Sequence, residues 1–267
     1  MKYLYSILII LLVSFNLASQ EVTKTNYLDS EGKTTTIPHK AFLIETLEKK
    51  DSVWEFKKYN RVGNLLYYGL YTDEELNHPF GIHRTFFKNG IETEEVIYDK
   101  SGRKNGAYKK WFYDGKKDCL GYYENNHKAG MWKYFHRNGK IAVTEYFQNG
   151  ELIKTILYDE TGQKIENQGI TAFQEAEFTK GKKEFDKKIK WLHNYIDFHV
   201  NGYIYLDFIV DETGNMINLS TMGSDIPEDL MRQFKAYLEN KSDWMPAISM
   251  NRKVPSYFYY RLNFRIN

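Results

Sequence analysis

The chain has 267 residues, and at about 150 residues per domain this length predicts roughly two domains. Contents of 42% hydrophobic and 16% aromatic residues exclude a disordered or collagen-like chain. The 37 basic and 35 acidic residues leave a net charge of +2, too small for a dedicated phosphate-backbone binder, so no nucleic-acid partner is expected. The single cysteine, Cys119, excludes an internal disulfide and a zinc site of paired cysteines, and we expect it to be a packed small hydrophobe.

The first residues are typical of a secretory signal peptide. Lys2 precedes an apolar run from Leu4 to Val13, and small residues follow at Ala18 and Ser19. A membrane-spanning helix needs about 20 apolar residues, and this run has about 15 even when it is extended to Ala18. We therefore expect cleavage after Ala18 or Ser19. The alternative is that the segment is retained as a membrane anchor. The mature protein is then expected in the periplasm, free or associated with the outer membrane, with no integral membrane span.

A repeat of about 24 residues occupies the middle of the chain. Gly81, Gly106 and Gly130 are 25 and 24 residues apart, and each is followed by aromatic residues or histidine. Stacked hairpins of this kind predict an elongated antiparallel sheet of about eight strands, roughly 40 Å long. Two-residue type I′ turns are predicted at the dipeptides Asn89-Gly90, Asp114-Gly115 and Asn138-Gly139.

The third repeat contains a recognisable motif. Its pattern is Lys-x-Gly-x-Trp-x-x-Phe-x-x-Asn-Gly-Lys, at Lys128, Gly130, Trp132, Phe135, Asn138, Gly139 and Lys140. This pattern resembles the bacterial MORN-variant repeat of the antitoxin type, and the resemblance covers about residues 50–165. It implies a role in protein or surface interaction and in spacing, and it supplies no catalytic residue.

The periodicity changes at about residue 176. The predicted elements are a helix with Phe185, Ile189, Leu192 and Ile196 on its apolar face, strands at 203–210 and 216–221, a helix at 224–240 and a strand at 254–267. The fold class is therefore predicted as mainly β plus α+β, an elongated antiparallel β-hairpin repeat array followed by a two-helix, three-stranded antiparallel domain. The expected organisation is a signal peptide at 1–19, a lead-in at 20–49, the array at 50–165, a linker at 166–175 and the C-terminal domain at 176–267.

The C-terminal domain resembles the C-terminal domain of TonB over about residues 176–267. The matching positions are Phe178, Gly181, Leu206-Asp207-Phe208-Ile209-Val210-Asp211, Gly214, Trp244-Met245-Pro246-Ala247 and Leu262-Asn263-Phe264. Two features depart from the family: its Tyr-Pro after the first helix is absent, and Asn251-Arg252-Lys253 replaces its Gly-Lys before the last strand.

The resemblance implies that an extended peptide adds to the edge of the last strand through backbone hydrogen bonds. About six bonds would contribute roughly 3 to 9 kcal/mol, against an association cost of at least about 4 kcal/mol, so side chains must help. The alternative is that the face of the sheet that carries the side chains of the last strand is solvated, or is covered by the array or by a second copy of the chain. The candidate site residues are Pro255, Tyr257, Tyr259, Arg261, Asn263 and Arg265.

The expected partner is a protein or peptide, and the resemblance implies the N-terminal segment of a TonB-dependent outer-membrane transporter. The alternative is a structural scaffold or a repeat-mediated protein- or glycan-binding module, whose TonB-like domain forms a homodimer and has no transport role. No enzyme, cofactor or metal is expected. Gly32-Lys33-Thr34 lacks the upstream glycine of a phosphate-binding loop, and His193 and His199 do not share a helical face.

Overall fold

A computed structural model describes residues 23–29, 32–166, 169, 171–195, 202–223, 228–239 and 243–264. The predicted signal peptide at 1–19 lies outside these residues. In the described part of the chain, no helix combines the length and the apolar character that a bilayer crossing requires.

An antiparallel sheet runs from Thr23 to Ile165, and its strands follow one another in sequence order, which confirms the predicted hairpin array. Within the described residues it has twelve strands rather than about eight, because 20–49 supplies two and the sheet ends in a two-residue strand. At about 4.8 Å per strand the array is about 50 Å long. The strands are β1 (Thr23–Leu28), β2 (Leu43–Lys50), β3 (Val53–Asn60), β4 (Leu65–Tyr71), β5 (Pro79–Phe86), β6 (Glu92–Tyr98), β7 (Lys104–Trp111), β8 (Lys117–Glu124), β9 (His127–Phe135), β10 (Ile141–Gln148), β11 (Glu151–Tyr158) and β12 (Lys164–Ile165). A short 3-10 helix, Pro38–Lys40, lies between β1 and β2.

The loops after β3, β5, β7, β9 and β11 lie at one end of the array, which we call the loop end. After β5, the Phe87 N–H donates to the Ile91 carbonyl and the Gly90 N–H donates to the Phe87 carbonyl, both at 2.8 Å. Only Gly90 has a positive φ, 83°, so this is a three-residue loop with a bulge. The loops after β7 and β9 have the same hydrogen bonds. The prediction of two-residue type I′ turns at 89–90, 114–115 and 138–139 is therefore wrong.

The longer loops result from a hydrogen bond made by the second loop residue. Asn89 Oδ1 accepts the Ile91 N–H at 3.1 Å, and Asn138 Oδ1 accepts the Lys140 N–H at 2.9 Å. This local bond stabilises the right-handed conformation of the asparagine and leaves the positive φ to the glycine alone. Two-residue turns in which both φ angles are positive occur at the opposite end of the sheet, at Asn125-Asn126 and Asn149-Gly150.

The aromatic residues of the repeats pack against one another on one face of the array. The Trp132 ring is buried, stacks on Tyr108 at 5.2 Å and lies directly over Gly121. Cys119 is buried in the same cluster, as predicted, and burial raises the pKa of its thiol to about 12. This stripe of aromatic side chains therefore joins consecutive hairpins into one sheet.

The C-terminal part has the predicted order of helix, strand, strand, helix and strand. Its main sheet has the order β16-β15-β20, and its small strands form the sheets β13-β18-β19 and β14-β17. The last strand begins at Ser256 rather than at 254, because Pro255 separates it from a short preceding strand. The elements are β13 (Phe173–Gln174), β14 (Glu177–Phe178), α1 (Lys182–Tyr195), β15 (Gly202–Val210), β16 (Met216–Gly223), α2 (Glu228–Glu239), β17 (Trp244–Met245), β18 (Ala247–Ser249), β19 (Arg252–Val254) and β20 (Ser256–Phe264).

The central strand β15 is buried on both sides. Its core-facing residues pack against α1 and α2, and its other face packs against the loop end of the array. The array therefore covers the second face of this sheet. This outcome is one of the alternatives given above for the candidate binding face. The core-facing residues are Leu206, Phe208 and Val210, and the array-facing residues are Tyr205, Asp207 and Ile209.

Candidate peptide-binding edge

The outer edge of β20 is the candidate binding site. β20 pairs antiparallel with β15 over nine consecutive residues, from Ser256 opposite Val210 to Phe264 opposite Gly202, without a bulge. Among the described residues no other strand pairs with β20. Alternate N–H and C=O groups of an edge strand point away from the sheet, so β20 presents a regular row of outward-facing backbone donors and acceptors that no strand of the described residues pairs with.

The opposite edge strand of the same sheet, β16, is less regular. Its register with β15 shifts between Asp207 and Ile209, and Asn218 has a φ of 53°. Bulges of this kind twist an edge and interrupt its row of hydrogen-bonding groups. Of the two edges, β20 is therefore the better template for an added strand.

The predicted site residues have different positions on this edge. Pro255 immediately precedes β20, and Tyr257 and Tyr259 lie on its array-facing side. Arg261 and Asn263 belong to β20, but their side chains lie outside the described part of the structure. Arg265 lies outside the described residues altogether.

The two tyrosines are held in place while remaining accessible. The Tyr259 ring stacks on Tyr205 with centroids 5.1 Å apart, and Lys88 Nζ lies 5.5 Å from the Tyr257 ring and 5.4 Å from the Tyr259 ring. Burial and the neighbouring Asp207 carboxylate raise the pKa of Tyr257 above its ordinary value. Tyr257 is 46% exposed and Tyr259 is 44% exposed, so both rings can still contact a bound peptide.

Asp207 connects β15 to the array. Its Oδ2 atom lies 2.6 Å from Lys88 Nζ and accepts a hydrogen bond from Ser220 Oγ at 2.8 Å. Lys88 belongs to the three-residue loop after β5. This ion pair places the loop end directly beneath the array-facing side of β20.

A second ion pair joins the two parts in a more deeply buried position. Arg252 Nη1 lies 2.7 Å from Asp118 Oδ1 and also donates to the Phe135 carbonyl at 2.6 Å. Met250 and Asn251 both have positive φ and form the turn that directs Arg252 toward the array. A third pair, Arg137 with Glu212 at 3.1 Å, completes what we call the seam between the array and the C-terminal sheet.

Sequence reasoning did not identify the seam residues Lys88, Asp118, Asp207 and Arg252. Two signals were present in the sequence. Asp207 stands between the apolar Leu206 and Phe208, and Arg252 lies in the segment where the predicted resemblance to the TonB domain fails. Both polar residues are buried, and each is paired with a charge on the array.

No protein-family model matches this chain, and no curated protein matches it. The resemblances to MORN-variant repeats and to the TonB C-terminal domain therefore stay predictions from the motifs quoted above.

Proposed function

We propose that this protein is an exported, periplasmic interaction protein whose C-terminal domain binds an extended peptide by strand addition at β20. The observation that carries the proposal is the unbroken nine-residue pairing of β20 on one side and, within the described residues, the lack of a strand on the other. A peptide that pairs there satisfies the free backbone groups and continues the sheet.

The fixed position of β20 supports this role energetically. On the core side, Phe258 stacks on Phe208 at 5.3 Å and Tyr260 lies 5.3 Å from Phe185. On the array side, Tyr259 stacks on Tyr205. Because the strand is held from both faces, little further ordering is needed on binding, which reduces the entropy cost of association.

The resemblance of this domain to the TonB C-terminal domain implies that its partner is the N-terminal segment of an outer-membrane transporter. The order of the described elements and the Trp244-Met245-Pro246-Ala247 segment support this reading. The array then serves as a spacer and as a secondary contact surface. We propose no enzymatic activity.

Alternate N-methylation of a peptide tests the proposal. The probe is a fluorescent synthetic peptide from a transporter N-terminal segment, titrated into the mature chain, together with two versions methylated at odd or at even backbone nitrogens. Because only alternate N–H groups of an added strand face the sheet, one methylated peptide should lose binding and the other should retain it. No binding of the unmodified peptide, or equal binding of both methylated forms, would contradict strand addition.

A scaffold that self-associates through the array is the second candidate. β12 pairs with β11 only at Leu157 and Tyr158, so most of the outer edge of β11 is unpaired within the described residues. On this edge Leu152 is 50% exposed and Ile153 is 61% exposed. Light scattering should then show a dimer that is indifferent to the transporter peptide and that becomes monomeric on Ile153→Lys.

A further inference from the structure

A cleft opens in the seam beside the beginning of β20. Its volume is about 280 Å³, near the lower end of small-ligand pockets. Phe87, Trp111 and Tyr113 of the array form one wall, and the C-terminal part supplies Phe173, Ile209 and Tyr257.

The cleft is continuous with the proposed binding edge. Pro255, Ser256 and Tyr257 line it, and Ser256 and Tyr257 are also the first residues of β20. All strand pairs of the described sheets are antiparallel, the more stable arrangement per residue, so we expect the added peptide to run antiparallel to β20 as well. The carboxyl-terminal end of the peptide then lies over the cleft.

The walls favour an aromatic side chain. Phe173 is 63% exposed and Tyr257 is 46% exposed, and these two rings stand at the rim of the cleft. Aromatic rings attract one another in edge-to-face or offset geometry beyond the effect of the area they bury. A phenylalanine or tyrosine that enters the cleft would contact rings on both of its walls.

The charges at the cleft favour an acidic group beside that ring. Asp118 is bonded through Oδ1 to Arg252 at 2.7 Å, and its Oδ2 atom lies 3.4 Å from Lys110 Nζ. Among these three groups the two cations outnumber the one carboxylate, while Glu94 stands opposite Lys110 in the β6–β7 pairing. Since Arg252 is buried and Lys110 is half exposed, Lys110 is the group that can pair with a ligand carboxylate.

We propose that this cleft selects peptides that carry, near their carboxyl-terminal end, an aromatic residue and an acidic residue two positions apart, because such residues lie on the same face of a strand. The inference rests on the proposed strand addition and adds its specificity. The array thereby becomes part of the binding site rather than only a spacer, because Lys110 and one aromatic wall belong to it.

Synthetic host peptides of alternating threonine and valine, acetylated and amidated, test the inference in the full mature chain. They end in Phe-Thr-Asp, Ala-Thr-Asp, Phe-Thr-Asn or Ala-Thr-Asn, and a fifth peptide has Phe-Thr-Asp at its amino-terminal end. Phe-Thr-Asp at the carboxyl-terminal end should bind about tenfold more tightly than Ala-Thr-Asn. Equal affinity of the five peptides, or an equal gain from the amino-terminal Phe-Thr-Asp, would overturn the cleft while leaving strand addition intact. No binding of any host peptide would overturn both.

Two variants identify the groups responsible. Phe173→Ser should remove the preference for Phe over Ala, and Lys110→Gln should remove the preference for Asp over Asn. The matched control is Tyr122→Ser, an exposed array tyrosine that does not line the cleft, and it should keep both preferences. Loss of both preferences in the control, or their retention in both cleft variants, refutes the assignment.

Discussion

Arg252 and Asp118 are 134 residues apart in the sequence, yet their side chains form a buried ion pair at 2.7 Å. The Arg252 Nε atom has no hydrogen-bond partner in the described structure, so the guanidinium is only partly compensated. The C-terminal domain is thus attached to the array by an interaction whose desolvation is costly and whose geometry is specific.

Loss of one member of this pair should destabilise the protein strongly. Arg252→Ala leaves the buried Asp118 carboxylate with only the half-exposed Lys110 at 3.4 Å, so the free energy of unfolding should fall by about 3 kcal/mol. The measurement is urea denaturation of the chain from residue 20 onward. The double variant Arg252→Met, Asp118→Leu should recover part of that loss, because an apolar pair needs no compensating charge although the Phe135 carbonyl loses its Arg252 donor.

The control for this prediction is the exposed pair of Lys187 and Glu184 on α1. Lys187→Ala should change stability by at most about 0.5 kcal/mol. If Arg252→Ala costs no more than this control, the seam does not contribute to stability as described.

The Lys88–Asp207 pair should have a smaller and more local effect. Lys88→Met leaves Asp207, whose side chain is as buried as that of Asp118, with the Ser220 hydroxyl as a donor, so it should cost about 1–2 kcal/mol. Because Lys88 also lies over Tyr257 and Tyr259, hydrogen exchange should become faster in β20 and remain unchanged in β9. Equal acceleration in both strands would indicate global destabilisation instead.

Gly121 should not tolerate a side chain. A Cβ atom there would lie 2.2 Å from the Trp132 ring, so Gly121→Ala should lower stability by about 1–3 kcal/mol through overpacking. Thermal unfolding followed by circular dichroism measures the loss. In a double-mutant cycle, Trp132→Leu should make Gly121→Ala nearly neutral, and additive losses would contradict the steric explanation.

His83 should make the array sensitive to acid. Its Nε2 lies 2.8 Å from the Leu70 carbonyl and its Nδ1 lies 2.6 Å from the Tyr67 hydroxyl, an arrangement that suits neutral imidazole. Burial lowers the pKa of His83 below its ordinary value of about 6.5. The unfolded chain therefore binds the proton more readily, and stability should fall as the pH drops below about 6.5 toward the lower folded pKa.

Denaturation between pH 7.5 and 5 measures this dependence. His83→Gln should flatten the fall in stability over that interval. The exposed His78 provides the control, and His78→Gln should retain the slope. An unchanged slope in His83→Gln would assign the acid sensitivity to other groups.

The repeats predicted the array well because each hairpin depends on local signals, aromatic strand residues and turn glycines. The turn type was wrong because Asn89 and Asn138 bond to their own loops, and a dipeptide rule does not include that bond. The order of the C-terminal elements followed from periodicity, and the burial of Phe185 and Ile189 agrees with the predicted helix face.

The seam could not be predicted from local pattern. Lys88 and Asp207 are separated by 119 residues, and although Asp207 stands between two apolar residues, nothing in its segment identifies Lys88 as its partner. The residues of β15 alternate between a more apolar and a more polar face, but this pattern does not indicate that the array covers the more polar one. The cleft beside Tyr257 depends on that packing, so the sequence showed the edge of the candidate site without its walls.

The C-terminal domain packs against the loop end of the array. This position limits how the array can be lengthened. One added strand would reverse the direction of all strands that precede it in the sequence, whereas an added hairpin of two strands would leave their direction unchanged. Hairpins inserted ahead of Thr23 would extend the rod in increments of about 10 Å and leave the contacts of Lys88, Asp118 and Arg137 in place. Reach and recognition can therefore vary independently in this architecture.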